Sequence, residues 1–217
     1  MPVWHSGMTP LIETLPPLSR LALAYAPRRA RADWLALLAL DARLALLVRS
    51  AHDPILAQIK LAWWRDRFTE SSAKWPRGEP LLALLHDWNE ASAALCGLVD
   101  GWELLLGEAP LPKAAMRSWA KGRAGALAAL ATRVGAGAFA AQAAMLAQSW
   151  ALADLAAHLG HPEEQATARE LADQHRANRI TLPRSMRPLA VLHGLAVRPQ
   201  SGVIALLTSI RLGIIGR

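Results

Sequence analysis

Apolar residues recur every three or four positions along most of this sequence, which is the spacing of one face of an α-helix. The clearest case lies between residues 28 and 50, where four leucines follow this spacing: Leu37, Leu40, Leu44 and Leu47. A second stripe begins after Asp53 and Pro54, a helix N-cap followed by proline at the first helical position, and continues to Phe68. Two consecutive helices joined by a short turn are therefore predicted.

Proline and glycine divide the rest of the chain into further helices. These are predicted over residues 80–106, from 112 to about 130, from the Gly135/Gly137 pair to about 159, and over 162–178, 187–197 and 203–215. Residues 179–183 are predicted to form an extended loop, because Pro183 disfavours helix at the residue before it. We expect residues 1–17 to be an irregular N-terminal segment and 199–217 to be a helical C-terminal tail.

Composition supports an all-α fold in a single domain that covers residues 1–217. Alanine and leucine dominate while β-branched residues are scarce, and this mixture has a high helix propensity. With 53% hydrophobic residues in a chain of 217, the sequence can bury one sizeable core. The single cysteine, Cys96, has no partner for a disulfide, which indicates a reducing compartment.

The net charge of +7 favours anionic partners, namely nucleic acid, anionic lipid or phosphorylated small molecules. The basic residues are dispersed along the predicted helices instead of forming one recognition helix, so we expect no nucleic-acid binding. Residues 1–17 lack the pattern of a signal peptide, and a cytoplasmic location is expected. Residues 134–153 contain no charged side chain, but their alanine content favours a buried core helix over a membrane span.

Four short motifs occur in an order that resembles the squalene/phytoene synthase family. They follow a helix that carries Arg43, they extend over about residues 18–198, and their order and spacing carry the resemblance. The motifs are Trp63-Trp64-Arg65-Asp66, Val99–Glu103, Gly122-Arg123-Ala124-Gly125 and Leu182-Pro183-Arg184. The resemblance implies an isoprenoid synthase-type bundle of about eight helices.

That family joins two isoprenyl diphosphates, whose phosphates are bound through magnesium held by two Asp-rich motifs on facing helices. In the register that aligns Arg43 with the family's arginine, the first motif falls at Leu46, Leu47 and Ser50, and the second near residues 155–162. Magnesium requires hard oxygen ligands, which leucine does not supply. We therefore predict no catalytic residue, no metal ligand and no cofactor.

The alternative is an active prenyl transferase with non-standard magnesium ligands. Its candidate ligands are Asp41, Asp154, Asp66 and Glu70. The last two have helical i, i+4 spacing, but ion pairs with neighbouring arginines explain that spacing equally well. His158 and His161 lack a third ligand and are interpreted as histidines at a helix C-terminus, where the helix dipole favours them.

Seven residues are candidates for binding a substrate or lipid: Tyr25, Arg43, Trp63, Trp64, Arg65, Arg123 and Arg184. Since neighbours on a helix point about 100° apart, Trp63 and Trp64 cannot both face the core. One should pack inward, and the other should cover a groove or an interface. The family register points Arg43 toward the cavity, whereas Arg43 in an ion pair and Tyr25 in the core are the structural alternatives.

The family also includes a branch with an acid-poor first motif, the mitochondrial assembly factors of respiratory complex I, which this chain resembles. The resemblance thus implies a non-catalytic protein that binds an isoprenoid or another lipid, or that assists the assembly of a membrane complex. Its expected partners are such a lipid, an anionic membrane surface or a protein. The location implied is peripheral, at the inner face of the membrane.

Overall fold

The computed structural model describes residues 10–175 and 181–197, and all regular structure within these ranges is helical. Eight of the nine helices labelled below have at least eight residues, which confirms the predicted all-α fold of about eight helices. They are α1 (Pro17–Ala24), α2 (Arg31–Arg49), α3 (Pro54–Thr69), α4 (Pro80–Leu85), α5 (Ser92–Glu103), α6 (Lys113–Arg133), α7 (Ala140–His158), α8 (Pro162–Gln174) and α9 (Arg187–Val197).

Local capping explains where several helices begin and end. The Asp53 carboxylate accepts a hydrogen bond from the backbone N–H of Ile55 at 2.8 Å, which fixes the start of α3. Glu79 caps α4 in the same way through the N–H of Leu81 at 3.2 Å. At the end of α6 the backbone turns at Gly135, whose φ of 74° suits glycine. The predicted boundaries at Pro54 and at the Gly135/Gly137 pair are therefore confirmed.

The single helix predicted over residues 80–106 is wrong, because the chain breaks between α4 and α5. Asp87 and Asn89 lie in the break, and both residue types compete with helical hydrogen bonding through their side chains. Trp88 between them is fully buried in the core. The guanidinium of Arg133 donates a hydrogen bond to the carbonyl oxygen of Asp87 at 2.5 Å. This carbonyl group therefore has a hydrogen-bond partner although the helix is interrupted here.

The described part of the N-terminal segment, from residue 10 onward, is not irregular throughout as predicted. Residues 10–13 form a helical turn, and the side chains of Leu11 and Leu15 are buried in the core. Packing of these two leucines outweighs the prolines that favoured irregular structure. The predicted tail at 199–217 lies outside the described residues.

Helices α6 and α7 form the centre of the bundle. They pack along each other, α6 also packs on α5, and α7 also packs on α8 and α9. Helix α3 attaches mainly to α5, and α9 contacts α1. No helix in the described ranges is long and apolar enough to cross a membrane. The uncharged stretch 134–153 contributes buried residues to α7, as predicted for a core helix.

Glycine lets α5 and α6 approach each other at backbone distance. A methyl group on Gly122 would overlap the carbonyl oxygen of Gly97, and one on Gly101 would lie 3.2 Å from the Cα of Trp119. Gly125, one turn further along α6, has open space at the equivalent position. The contact at Gly122 therefore sets the spacing of the two helices next to Arg123.

Substitution of Gly122 by alanine tests this contact. We expect Gly122→Ala to lower the free energy of unfolding by about 1–3 kcal/mol, because α5 and α6 must separate to accommodate the methyl group. Gly125→Ala is the matched control and should be neutral or stabilise the protein by up to about 1 kcal/mol through helix propensity. Urea denaturation followed by circular dichroism measures both, and equal effects of the two substitutions would contradict the packing argument.

Candidate functional site

A buried arginine bound by two aspartates lies at the centre of the bundle. Nη2 of Arg123, on α6, donates to Oδ2 of Asp41 on α2 at 2.5 Å. Its Nη1 donates to Oδ2 of Asp154 on α7 at 2.9 Å. The Arg123 side chain is only 6% exposed. Three helices are thus linked through one guanidinium group, and we call these three residues the Arg123 cluster.

Three tryptophans surround the guanidinium. Its Cζ lies 4.0 Å from the ring centroid of Trp150, 4.8 Å from that of Trp119 and 5.8 Å from that of Trp102. These distances are within the range of cation–π attraction. Nε1 of Trp102 also donates to Oδ1 of Asp41 at 2.8 Å, which holds the carboxylate in position. The rings thus replace part of the hydration that the arginine loses on burial.

The charges of the cluster stabilise one another. Burial alone would lower the pKa of Arg123, but the Asp41 and Asp154 carboxylates outweigh burial and raise it above its ordinary value. Arg123 is therefore a permanent cation inside the protein. Its one positive charge faces two carboxylates, so the cluster has a formal charge of −1.

Little free space adjoins the cluster. The cavity beside Arg123 has room for about one water molecule. Its other walls are mainly aliphatic, with Leu37, Leu38 and Leu98 among them. Nε of Arg123 is buried and has no hydrogen-bond partner among the described residues. This cavity can hold a small polar molecule but cannot admit a prenyl chain.

The candidate ligands of the transferase alternative are only partly brought together. Asp41 and Asp154 do converge, but on the guanidinium of Arg123, which occupies the position between them. Glu70 instead pairs with Arg67 at 3.1 Å. Within the described ranges, no three Asp, Glu, His or Cys side chains form a group that could bind a metal ion.

The histidine and motif positions likewise lie apart from a metal site. Nδ1 of His158 lies 2.8 Å from the carbonyl oxygen of Asp154, at the C-terminal end of α7, as predicted for a helix-end histidine. His161 precedes α8. Leu46 and Ser50, where the family register placed the first Asp-rich motif, are exposed on α2 and at its end.

Arg65 binds two carboxylates as Arg123 does, but at the surface. Its Nε lies 2.6 Å from Oδ1 of Asp100, and its Nη2 pairs with Glu103, so that α3 and α5 are linked. The hydrogen bond to Glu103 outweighs partial burial, and the pKa of Arg65 is raised. Arg65 and its two carboxylate partners border an open cleft of about 530 Å³ between α3 and α5. Gln58 and Leu104 also line this cleft.

The two adjacent tryptophans point in different directions, as predicted. Trp64 is 4% exposed and packs into the core, whereas Trp63 is 38% exposed. Their rings meet edge to face at 5.1 Å between centroids. Cζ of Arg67 lies 5.6 Å from the centroid of Trp63. Trp63 is thus available on the outer face of α3.

The remaining candidate residues do not reach the Arg123 cluster. Arg43 does not point toward a cavity, because its side chain is 38% exposed and pairs with Glu79 at 3.7 Å. It follows Asp41 by two residues, which places it about 200° away around α2. Tyr25 ends α1 and packs against the core, and Arg184 is exposed in the turn before α9.

The sequence did contain a signal for the residues that were missed as partners of Arg123. Asp41 and Asp154 are single acids within otherwise apolar stretches of predicted core helices. A carboxylate on the buried face of a helix needs a cation nearby. The same argument applied to Arg123 on α6 would have proposed the ion pairs, although it could not have identified which tryptophans surround them.

Comparisons with protein-family models, with curated proteins and with solved structures found no match to this chain. The interpretation of the site therefore depends on its own geometry.

Arg123 and Arg65 form a natural pair for mutagenesis, because each binds two carboxylates and they differ in burial. We expect Arg123→Met to lower the free energy of unfolding by about 3–5 kcal/mol, since it leaves two interior carboxylates without a cation. Arg65→Met should cost about 1–2 kcal/mol at most, because water screens and solvates the Asp100 and Glu103 carboxylates. Chemical denaturation measures both. Similar losses of unfolding free energy for the two variants would show that the Arg123 cluster contributes no more to stability than the surface ion pairs of Arg65.

Proposed function

We propose that this chain is a non-catalytic protein of the squalene/phytoene synthase type that acts through its surface, as an assembly-type factor at a membrane. The observation that carries the proposal is the position of the Arg123 guanidinium between Asp41 and Asp154. A cation supplied by the protein itself occupies the place where two facing carboxylates could otherwise have bound a metal ion.

Transfer of a prenyl group from a diphosphate requires neutralisation of the charge that develops on the departing diphosphate. In a magnesium-dependent enzyme, carboxylate oxygens hold the metal ions that supply this neutralisation. Here both carboxylate oxygens of Asp41 accept hydrogen bonds, one from Arg123 and one from Trp102, and Asp154 also accepts a hydrogen bond from Arg123. This arrangement favours a structural role for the two acids over the transferase alternative.

Binding of a lipid or a partner would have to take place on the outside of the bundle. The cavity at the Arg123 cluster is about the size of one water molecule, while a prenyl diphosphate contains many more atoms. The outer surface offers exposed apolar side chains on α3, and the chain has a net charge of +7. Both features are compatible with an isoprenoid, an anionic membrane surface or a protein as partner.

Thermal denaturation with farnesyl diphosphate, in the presence and absence of magnesium, tests the proposal. We expect no magnesium-dependent rise in Tm and no release of diphosphate, because a ligand raises Tm only when it binds the native state. Farnesol without magnesium is the control for lipid binding that does not involve the metal. Release of diphosphate, together with a Tm increase that requires magnesium, would instead support a transferase with non-standard ligands.

A further inference from the structure

The outer face of α3 carries large apolar side chains that the bundle leaves uncovered. Ile55 is 65% exposed, Ile59 is 60% exposed, and Leu56 and Trp63 are also exposed. On a helix, Ile55, Ile59 and Trp63 follow one another at steps of about 40° and extend over about 12 Å. We call these four residues the α3 stripe. The opposite face of the helix, with Leu61 and Phe68, is buried against the rest of the protein.

An exposed lysine borders the α3 stripe. Lys60 is exposed, and no carboxylate of the described residues lies within 4 Å of its amino group. Helical geometry places Arg67 about 20° from Lys60 around the axis, and its guanidinium lies 5.6 Å from the ring of Trp63 but is paired with Glu70 at 3.1 Å. An apolar face that carries a tryptophan and is bordered by a lysine is typical of helices that lie in a membrane interface.

Three acids lie beyond the ends of the α3 stripe, namely Asp53, Asp66 and Glu70, and the last of these is paired with Arg67 at 3.1 Å. The Asp53 carboxylate is engaged at the start of α3 by the backbone N–H groups of Ile55 and Leu56. Asp66 is exposed but lies about 4.5 Å beyond Trp63 along the helix axis, past the end of the stripe. The net charge of +7 attracts the whole protein to anionic surfaces.

We propose that the α3 stripe docks the protein on an anionic phospholipid bilayer. The inference rests on the proposed function in one respect, namely that the working part of the protein is its surface. With α3 parallel to the membrane, Ile55 and Ile59 enter the boundary between headgroups and acyl chains. Trp63 lies at headgroup level, and Lys60 extends to the phosphate groups. The charge of Lys60 and the net charge of +7 favour anionic lipid over an uncharged apolar partner.

Co-sedimentation of the full chain with vesicles tests this assignment. Wild-type protein should bind vesicles that contain phosphatidylcholine and phosphatidylglycerol in equal parts. Its affinity for vesicles of pure phosphatidylcholine should be lower by about tenfold or more. The double substitution Ile55→Ser/Ile59→Ser should weaken binding to the anionic vesicles about tenfold or more, because two inserted side chains are lost. Lys60→Glu should weaken it about fivefold or more through the change of charge.

Leu18→Ser/Met145→Ser is the matched control, since it removes two similarly exposed apolar side chains on α1 and α7. It should bind vesicles like the wild type, and circular dichroism should show that every variant is folded. Unchanged binding of the Ile55/Ile59 and Lys60 variants would overturn the assignment, as would equal losses in the control. Failure of the wild-type protein to bind anionic vesicles would also overturn it. So would the finding, by size-exclusion chromatography, that substitutions in the α3 stripe only convert a dimer into a monomer.

These outcomes are independent of the test of the proposed function. Failure to bind vesicles would remove the membrane as the partner of α3, whereas only diphosphate release would contradict the non-catalytic role.

Discussion

Three helices of this bundle meet at a single guanidinium group. Arg123 from α6 binds Asp41 from α2 and Asp154 from α7. Removal of any one of these side chains would leave a charged group in an apolar interior with fewer partners. The rings of Trp102, Trp119 and Trp150 complete the surroundings. A buried ion pair of this kind is costly to form and costly to break, so it defines which faces of the helices turn inward. The packing of α5 follows from it, since Trp102 on that helix binds Asp41.

The same interaction engages two acids of the interior, Asp41 and Asp154. Carboxylates on facing helices are the usual means of holding magnesium, but here both are bound to an internal cation. The surroundings of Arg123 therefore resemble a structural core more than a reaction chamber. Large apolar side chains are uncovered on the outside of the bundle along α3, where Trp63 and two isoleucines are exposed.

The sequence predicted the helical class and most helix boundaries, because these depend on local spacing, proline and glycine. It also predicted that Trp63 and Trp64 would separate, which follows from helical geometry alone. It did not predict the break at Trp88, because burial of that indole and the bond from Arg133 to the Asp87 carbonyl arise from tertiary contacts. The Arg123 cluster was missed for a similar reason. Its members are 82 and 31 residues apart in sequence, and no local pattern pairs them.

One hydrogen bond carries a consequence for the order in which the chain can fold. The indole N–H of Trp34, whose side chain is fully buried in α2, donates to the carbonyl oxygen of Ser185 at 2.8 Å, across 151 residues. Until the ribosome has released residue 185, this buried donor lacks its native acceptor, and a buried donor without a partner costs about 1–3 kcal/mol. Helix α2 therefore reaches its final environment only when the segment around Ser185 packs on it, and a nascent fragment that ends before Ser185 would leave the Trp34 indole N–H without this acceptor.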